Sequence, residues 1–242
     1  MAEQIHIYQD AKALSEGFST FLQEKMAGKE HFTLSLSGGS TPQVLFNFWA
    51  EQCQELIDWK RISFFWGDER CVPPTDPMSN YGMTKAHLFD KISTINSANI
   101  FRVHGENAVE EALQRYKNDI DQNVPKKDET PCFDMMILGL GDDGHTASIF
   151  PHQISLWDNE SNCVIAEHPE SKMKRISLTG SVINNAQNIA FLVTGKGKAE
   201  KVKAIIEQRM KWVNIYPAAR VNPARLFWFL DEEAASELGA DK

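Results

Sequence analysis

The chain has 242 residues, 42% of them hydrophobic, and a formal net charge of −8. That length can bury a substantial core, and the acidic balance argues against a general nucleic-acid binder, which would carry a basic surface. No uninterrupted apolar run reaches transmembrane length. The N-terminus, Met1-Ala-Glu-Gln-Ile-His-Ile-Tyr8, has no basic region followed by an apolar core, so neither a membrane span nor a signal peptide is expected.

Ile5–Tyr8 reads as a short first strand. The helical spacing of Ala13, Leu14, Phe18, Phe21, Leu22 and Met26 predicts a helix from Asp10 to about Lys29. The apolar run Phe32–Leu36 predicts a strand that ends in Ser37-Gly-Gly-Ser-Thr-Pro42, and Gln43–Trp49 reads as helix. In this turn Thr41 fits an N-cap and Pro42 the first helical position. Gly38 and Gly39 lack a Cβ, so a ligand can approach the backbone closely. The free N–H groups and positive dipole end at the helix start favour an anion. No Gly-Lys-Ser/Thr follows at P-loop spacing, so the turn points to a phosphate ester smaller than a nucleotide, held at Gly38, Gly39, Ser40 and Thr41. The plainer alternative is a tight strand-to-helix turn with no ligand.

Arg61–Trp66 predicts a strand ending in a loop, Gly67-Asp-Glu-Arg70, and residues 71–80, with Pro73, Pro74 and Pro77, an irregular segment. Ala108–Ile120 looks helical, and the polar stretch 121–131 reads as a surface insert. Phe133–Leu140 is a buried-type strand running into Gly139-Leu-Gly-Asp-Asp-Gly-His-Thr146. Arg175–Leu178 and Asn188–Val193 read as strands, Lys198–Lys211 as a helix and Leu226–Leu230 as a last strand. Near-continuous apolar strands alternating with helices predict a mainly parallel sheet covered on both faces, in one domain over 1–242.

Three glycine-polar loops, at 37–42, 67–70 and 139–146, follow predicted strands, and ligands of open parallel sheets bind at such strand ends. His145 is the candidate acid/base group, with Asp142 and Asp143 near enough to set its tautomer or place a water; a solvated turn would use the same residue types. In the second loop Asp68 fits an orienting role and Arg70 an anion clamp. Arg175, before a strand, and Lys198, opening a helix, are further cations. One histidine with two adjacent aspartates matches no familiar metal-ligand spacing, so no metal is expected. No Gly-x-Ser-x-Gly elbow supports a serine hydrolase. His6, His31, His87, His104, His152 and His168 read as structural or surface residues. Cys53, Cys71, Cys132 and Cys163 form no Cys-x-x-Cys pair and read as reduced thiols of a cytoplasmic protein.

At these residues the chain resembles the 6-phosphogluconolactonase family. The resemblance is carried by Ser37-Gly-Gly-Ser-Thr-Pro42, Trp66-Gly-Asp-Glu-Arg-Cys-Val-Pro73, Ser79-Asn-Tyr-Gly82, Gly139-Leu-Gly-Asp-Asp-Gly-His-Thr-Ala-Ser-Ile-Phe-Pro151, Arg175-Ile-Ser-Leu-Thr179 and Thr194-Gly-Lys-Gly-Lys-Ala199. It implies a three-layer α/β/α fold like that of glucosamine-6-phosphate deaminase, and hydrolysis of a sugar-phosphate lactone in the pentose phosphate pathway. It implies no cofactor, and no nucleic-acid, membrane or obligate protein partner is expected. The rival sister deaminase carries a glutamate five residues after the histidine, where this chain has Phe150, and Asp-Glu-Tyr where this chain has Asp68-Glu69-Arg70. A non-enzymatic rival, a sugar-phosphate sensing domain of a transcription regulator, lacks its helix-turn-helix here. The implied roles are His145 as base, Asp68 or Asp143 orienting it, the loop at 38–41 with Arg175 and Lys198 on the phosphate, and Arg70 or backbone donors on the oxyanion.

Overall fold

The computed structural model describes residues 3–239. In chain order it contains β1 (Gln4–Tyr8), α1 (Ala11–Met26), β2 (Phe32–Leu36), α2 (Ser40–Gln52), β3 (Ile62–Trp66), β4 (Asp68–Arg70), α3 (Asn80–Thr84) and α4 (Val109–Asn123). There follow β5 (Lys126–Lys127), β6 (Thr130–Pro131), β7 (Met135–Leu138), β8 (Cys163–Glu167), β9 (Lys174–Leu178), α5 (Gly180–Asn185), β10 (Ile189–Val193), α6 (Ala199–Trp212) and β11 (Leu226–Asp231).

Six strands form one parallel sheet in the order β1-β11-β10-β7-β2-β3. The strands lack polar alternation because both faces are buried. Along β10, Ile189, Phe191 and Val193 face one core, while Ala190 and Leu192 face the other. Along β11, Leu226, Trp228 and Leu230 join the first core, and Phe227 and Phe229 the second. Leu14, Phe18 and Leu22 of α1, with Leu45, Phe46 and Trp49 of α2, cover the second face. Ala112, Tyr116 and Ile120 of α4, with Val202, Ile205 and Ile206 of α6, cover the first. This is a three-layer α/β/α arrangement. Among the described residues no helix is long and apolar enough to cross a membrane.

The strand order reverses between β2 and β7. From β2 the chain proceeds outward to β3, and from β7 it proceeds the other way through β10 to β11. The loops after β2 and β7 therefore part at a topological switch point, where a crevice opens beyond the carboxyl ends of the strands.

Several local expectations are corrected. Gly67-Asp-Glu-Arg70 is not a loop. Gly67 donates to Leu36 O at 2.9 Å, and its own carbonyl accepts from Leu178 N at 2.9 Å. The chain thus leaves the parallel sheet and enters a three-stranded antiparallel sheet, β4-β9-β8, in the same extended run. Arg175 lies within β9, in the strand expected over Arg175–Leu178, while β8 and α5 form in stretches where the sequence predicts no element. Helix α2 starts at Ser40 with Gly39 as N-cap, so Pro42 is its third residue. Gly39 has φ +109°, a value that glycine adopts freely, and this sets the entry angle. The Thr41 hydroxyl meets Thr194 Oγ1 at 2.7 Å instead of capping the helix. Pro42 still fits, since a first-turn N–H has no helical partner to lose.

Candidate active site

A cavity of about 240 Å³ lies at the switch point, and its walls come from all three glycine-polar segments. Gly38 and Gly39 line it from the first loop, Asp68 and Arg70 from β4, and His145 from the loop after β7, with Arg175 of β9 and Lys198 at the start of α6. Ser40 and Thr41 stand outside the lining, in the first turn of α2. The first backbone hydrogen bond there is Gln43 N to Gly39 O, so the N–H groups of Ser40 and Thr41 have no partner within the helix.

His145 is fixed from three sides. Its Nδ1 lies 2.6 Å from Asp143 Oδ1, and its backbone N–H donates to the same oxygen at 3.0 Å. A carboxylate only accepts, so Nδ1 carries the hydrogen and Nε2 of the neutral ring keeps its lone pair. Phe150, almost fully buried, packs against the imidazole with ring centroids 4.5 Å apart. Gly141 also lies against the ring, where a Cβ would stand only 2.1 Å from Nδ1. Burial is the largest influence on Asp143 and opposes its ionisation, yet the side-chain hydrogen bond and electrostatic attraction of His145, together with the backbone N–H donors of the turn, jointly outweigh it and hold this carboxyl below its usual range. The two turn aspartates thus part company: Asp143 serves the histidine, while Asp142 Oδ1 sits 2.5 Å from Lys198 Nζ.

Asp68 has a different neighbourhood and does not contact His145. The hydroxyl of Ser148 donates to Asp68 Oδ2, and Arg175 Nη1 stands 3.9 Å from the same oxygen. Arg175 Nη1 also donates to Ser148 Oγ at 3.3 Å, and its guanidinium lies over the Phe150 ring, 5.4 Å from the centroid. Burial pulls the Arg175 pKa down, and the charge of Asp68 works against that pull. Arg70 and Arg175 are directly opposed in the antiparallel register of β4 and β9. Like charges in that relation repel, and each guanidinium keeps a buried Nε without a partner among the described residues. A multivalent anion in the cavity would relieve both costs.

Glu69, between Asp68 and Arg70 in the strand, points away and acts as a rivet. It is buried and accepts from Arg70 N at 2.7 Å, Asn80 N at 2.8 Å, Tyr81 N at 2.7 Å and Ser79 Oγ at 3.1 Å. Burial pushes its pKa up, and the three backbone donors push back. The rivet returns the proline-rich segment to β4 and delivers Asn80 to the cavity. Asn80 Nδ2 donates to Asp68 O at 2.9 Å, and its Oδ1 would lie 1.8 Å from any Cβ at position 38. Glycine at 38 is therefore a packing requirement. Lys198 is placed by Gly195, whose φ is +92° and whose N–H donates to both carboxylate oxygens of Asp231 at 3.0 Å.

Sequence reading assigned no role to Asn80, Ser148 or Ser37. Ser79 carried a usable signal, an N-cap after a proline-rich stretch, and it does accept from Gly82 N at 2.9 Å. Ser148 carried none, since its partners are 80 and 27 residues away.

Comparison with known proteins identifies the family. A family model described as glucosamine-6-phosphate isomerases/6-phosphogluconolactonase matches residues 9–228. A 6-phosphogluconolactonase of Treponema pallidum is 46% identical over 200 residues, covering 83% of each chain. The crystal structure of a devB protein superposes with a TM-score of 0.91 at 38% identity, over 98% of this chain and 99% of that one. A solved monomeric glucosamine-6-phosphate deaminase shares the fold, with a TM-score of 0.76 at 20% identity over 96% of this chain and 99% of that one. The chain belongs to the glucosamine-6-phosphate isomerase/6-phosphogluconolactonase family.

Proposed function

We propose that the chain hydrolyses 6-phospho-D-glucono-1,5-lactone to 6-phosphogluconate, the lactone-opening step of the oxidative pentose phosphate pathway, with His145 as general base. The carrying observation is the imidazole on the cavity wall, its Nδ1 committed to Asp143 at 2.6 Å. Its Nε2 then takes a proton from water as the water oxygen attacks the lactone carbonyl. The bond from that carbon to the ring oxygen breaks, and the imidazolium returns a proton to the departing oxygen. Asp143 stabilises the charged ring in between. The 6-phosphate is held by Lys198, Arg175 and the loop at 38–41, where free N–H groups meet a helix dipole. Arg70 faces the developing oxyanion. Lactones open readily in water, so a positioned base without a covalent nucleophile is sufficient.

Phe150 argues against the deaminase reading. It sets a buried apolar ring against His145, at the position where the deaminase pattern has a glutamate. The test is acid release from freshly prepared lactone, with ammonia release from glucosamine 6-phosphate measured in parallel. The lactone should be opened and ammonia should not be released at a comparable rate; the converse reverses the assignment. His145→Ala should lower kcat by about two to four decades, and near-native kcat in a folded variant rules out the base.

A further inference from the structure

Of the three cations on the cavity wall, Lys198 already carries an exposed carboxylate. Arg70 Nη1 donates to the neutral carbonyl of Met78, and Arg175 Nη1 donates to the neutral hydroxyl of Ser148 and stands 3.9 Å from the buried Asp68 carboxylate. Lys198 Nζ instead sits 2.5 Å from Asp142 Oδ1. The lysine side chain is only 27% exposed, held against the wall, whereas the aspartate side chain is 86% exposed and can swing into water. Asp142 also makes no hydrogen bond to its own turn, which is closed by Gly144 N to Gly141 O and by the contacts of Asp143. Its carboxylate is therefore not needed to shape the loop that carries His145.

We propose that Asp142 is a specificity-determining competitor for Lys198: it loosens the site's hold on phosphate-bearing anions, and on the product above all. The inference rests on the lactonase reading, in which Lys198 takes the 6-phosphate. A phosphate that takes Lys198 competes with the Asp142 carboxylate for the ammonium's charge and donors, and that carboxylate stays beside it as a repelling charge. Hydrolysis sharpens the effect. Water adds to the carbonyl carbon, the ring C–O bond breaks, the ring oxygen is protonated, and the new acid ionises. The product thus carries one more negative charge than the substrate, in a cavity that Asp68 and Asp142 line. A carboxylate next to the phosphate cation disfavours the more anionic ligand and speeds its departure.

The experiment compares the full-length chain with Asp142→Asn, Lys198→Ala and the double variant. Titration calorimetry gives the Kd of inorganic phosphate and of 6-phosphogluconate, and a lactone assay gives kcat, KM and the product inhibition constant. Partly exposed ion pairs are weak, so Asp142→Asn should tighten both anions about two- to five-fold, with stronger product inhibition. The gain should shrink as salt is raised and should be absent in the Lys198→Ala background, the signature of a pairwise coupling. Unchanged or weaker anion binding in Asp142→Asn, or equal tightening without Lys198, overturns the inference. If the wild-type chain binds both anions but leaves the lactone intact, the lactonase reading fails while the competition can still be seen. If it opens the lactone and Asp142→Asn binds anions as before, the competition fails alone.

Discussion

Gly141→Ala should separate catalysis from folding. An alanine Cβ at this position would stand 2.1 Å from His145 Nδ1, 2.3 Å from Cε1 and 2.7 Å from Cγ. Ordinary contact begins near 3.4 Å, so the ring must retreat by about 1.3 Å. Phe150 packs against the same imidazole and limits its movement, and the 2.6 Å contact with Asp143 does not survive a shift of that size. Misplacing a reacting group by 1 Å can cost about a hundred-fold in rate, so kcat should fall by roughly two decades. Backbone strain adds little, because Gly141 is not among the glycines with positive φ. Steady-state kinetics on the lactone, beside a thermal melt, measures both effects. A Gly141→Ala protein with kcat within about three-fold of wild type and an unchanged melt would refute the account of how His145 is held.

Lys198→Ala should weaken kcat/KM for the phosphorylated lactone by about one to two decades, the worth of a charge-assisted hydrogen bond, and much less for unphosphorylated gluconolactone; equal losses on both would exclude a phosphate clamp. Arg175→Ala should damage both substrates, because Arg175 also braces Ser148 and Asp68, and a loss confined to the phosphorylated substrate would disprove that bracing role. Glu106 is held at about 2, first by its hydrogen bond from Arg102. A lowered carboxyl pKa stabilises the fold above the ordinary value and loses that contribution as pH falls toward 2. The shift would nominally be worth about 3 kcal/mol, but the pair is partly exposed, at 19% and 30%, and screening reduces this to about 1 kcal/mol. Denaturant titrations should therefore place Glu106→Gln about 1 kcal/mol below wild type from neutral pH down to about 4.5, with the gap narrowing below that; a gap that widens in acid would contradict the pairing.

The parallel core was legible because its strands are apolar on both faces, and Leu226–Leu230 or Asn188–Val193 admit few other readings. The glycine-polar segments that line the candidate site were legible because an apolar strand that runs into glycine and polar residues has few structural reasons to do so. Two things were hidden. Asp68-Glu-Arg70 looked like a loop because charged residues rarely extend a buried strand; here Glu69 is compensated by four donors from residues 70 and 79–81, and Asp68 by Ser148 and Arg175. The division of labour between Asp142 and Asp143 was hidden too, since adjacent side chains diverge according to backbone angles that composition does not encode. The start of α2 shifted because a left-handed Gly39 can cap a helix by geometry alone, leaving Thr41 to bond elsewhere.

The passage of one extended run through Gly67, from the parallel sheet into the antiparallel one, bears on how the protein refolds. Asp68 meets Ser148 across 80 residues, and its strand pairs with Ser177 beyond that. Loop closures of that span are entropically slow, whereas α1 and α2, close together in sequence, can pack early. Recovery of helical signal and compactness should therefore precede recovery of turnover, and species trapped between them should be folded by spectroscopy yet silent in the assay.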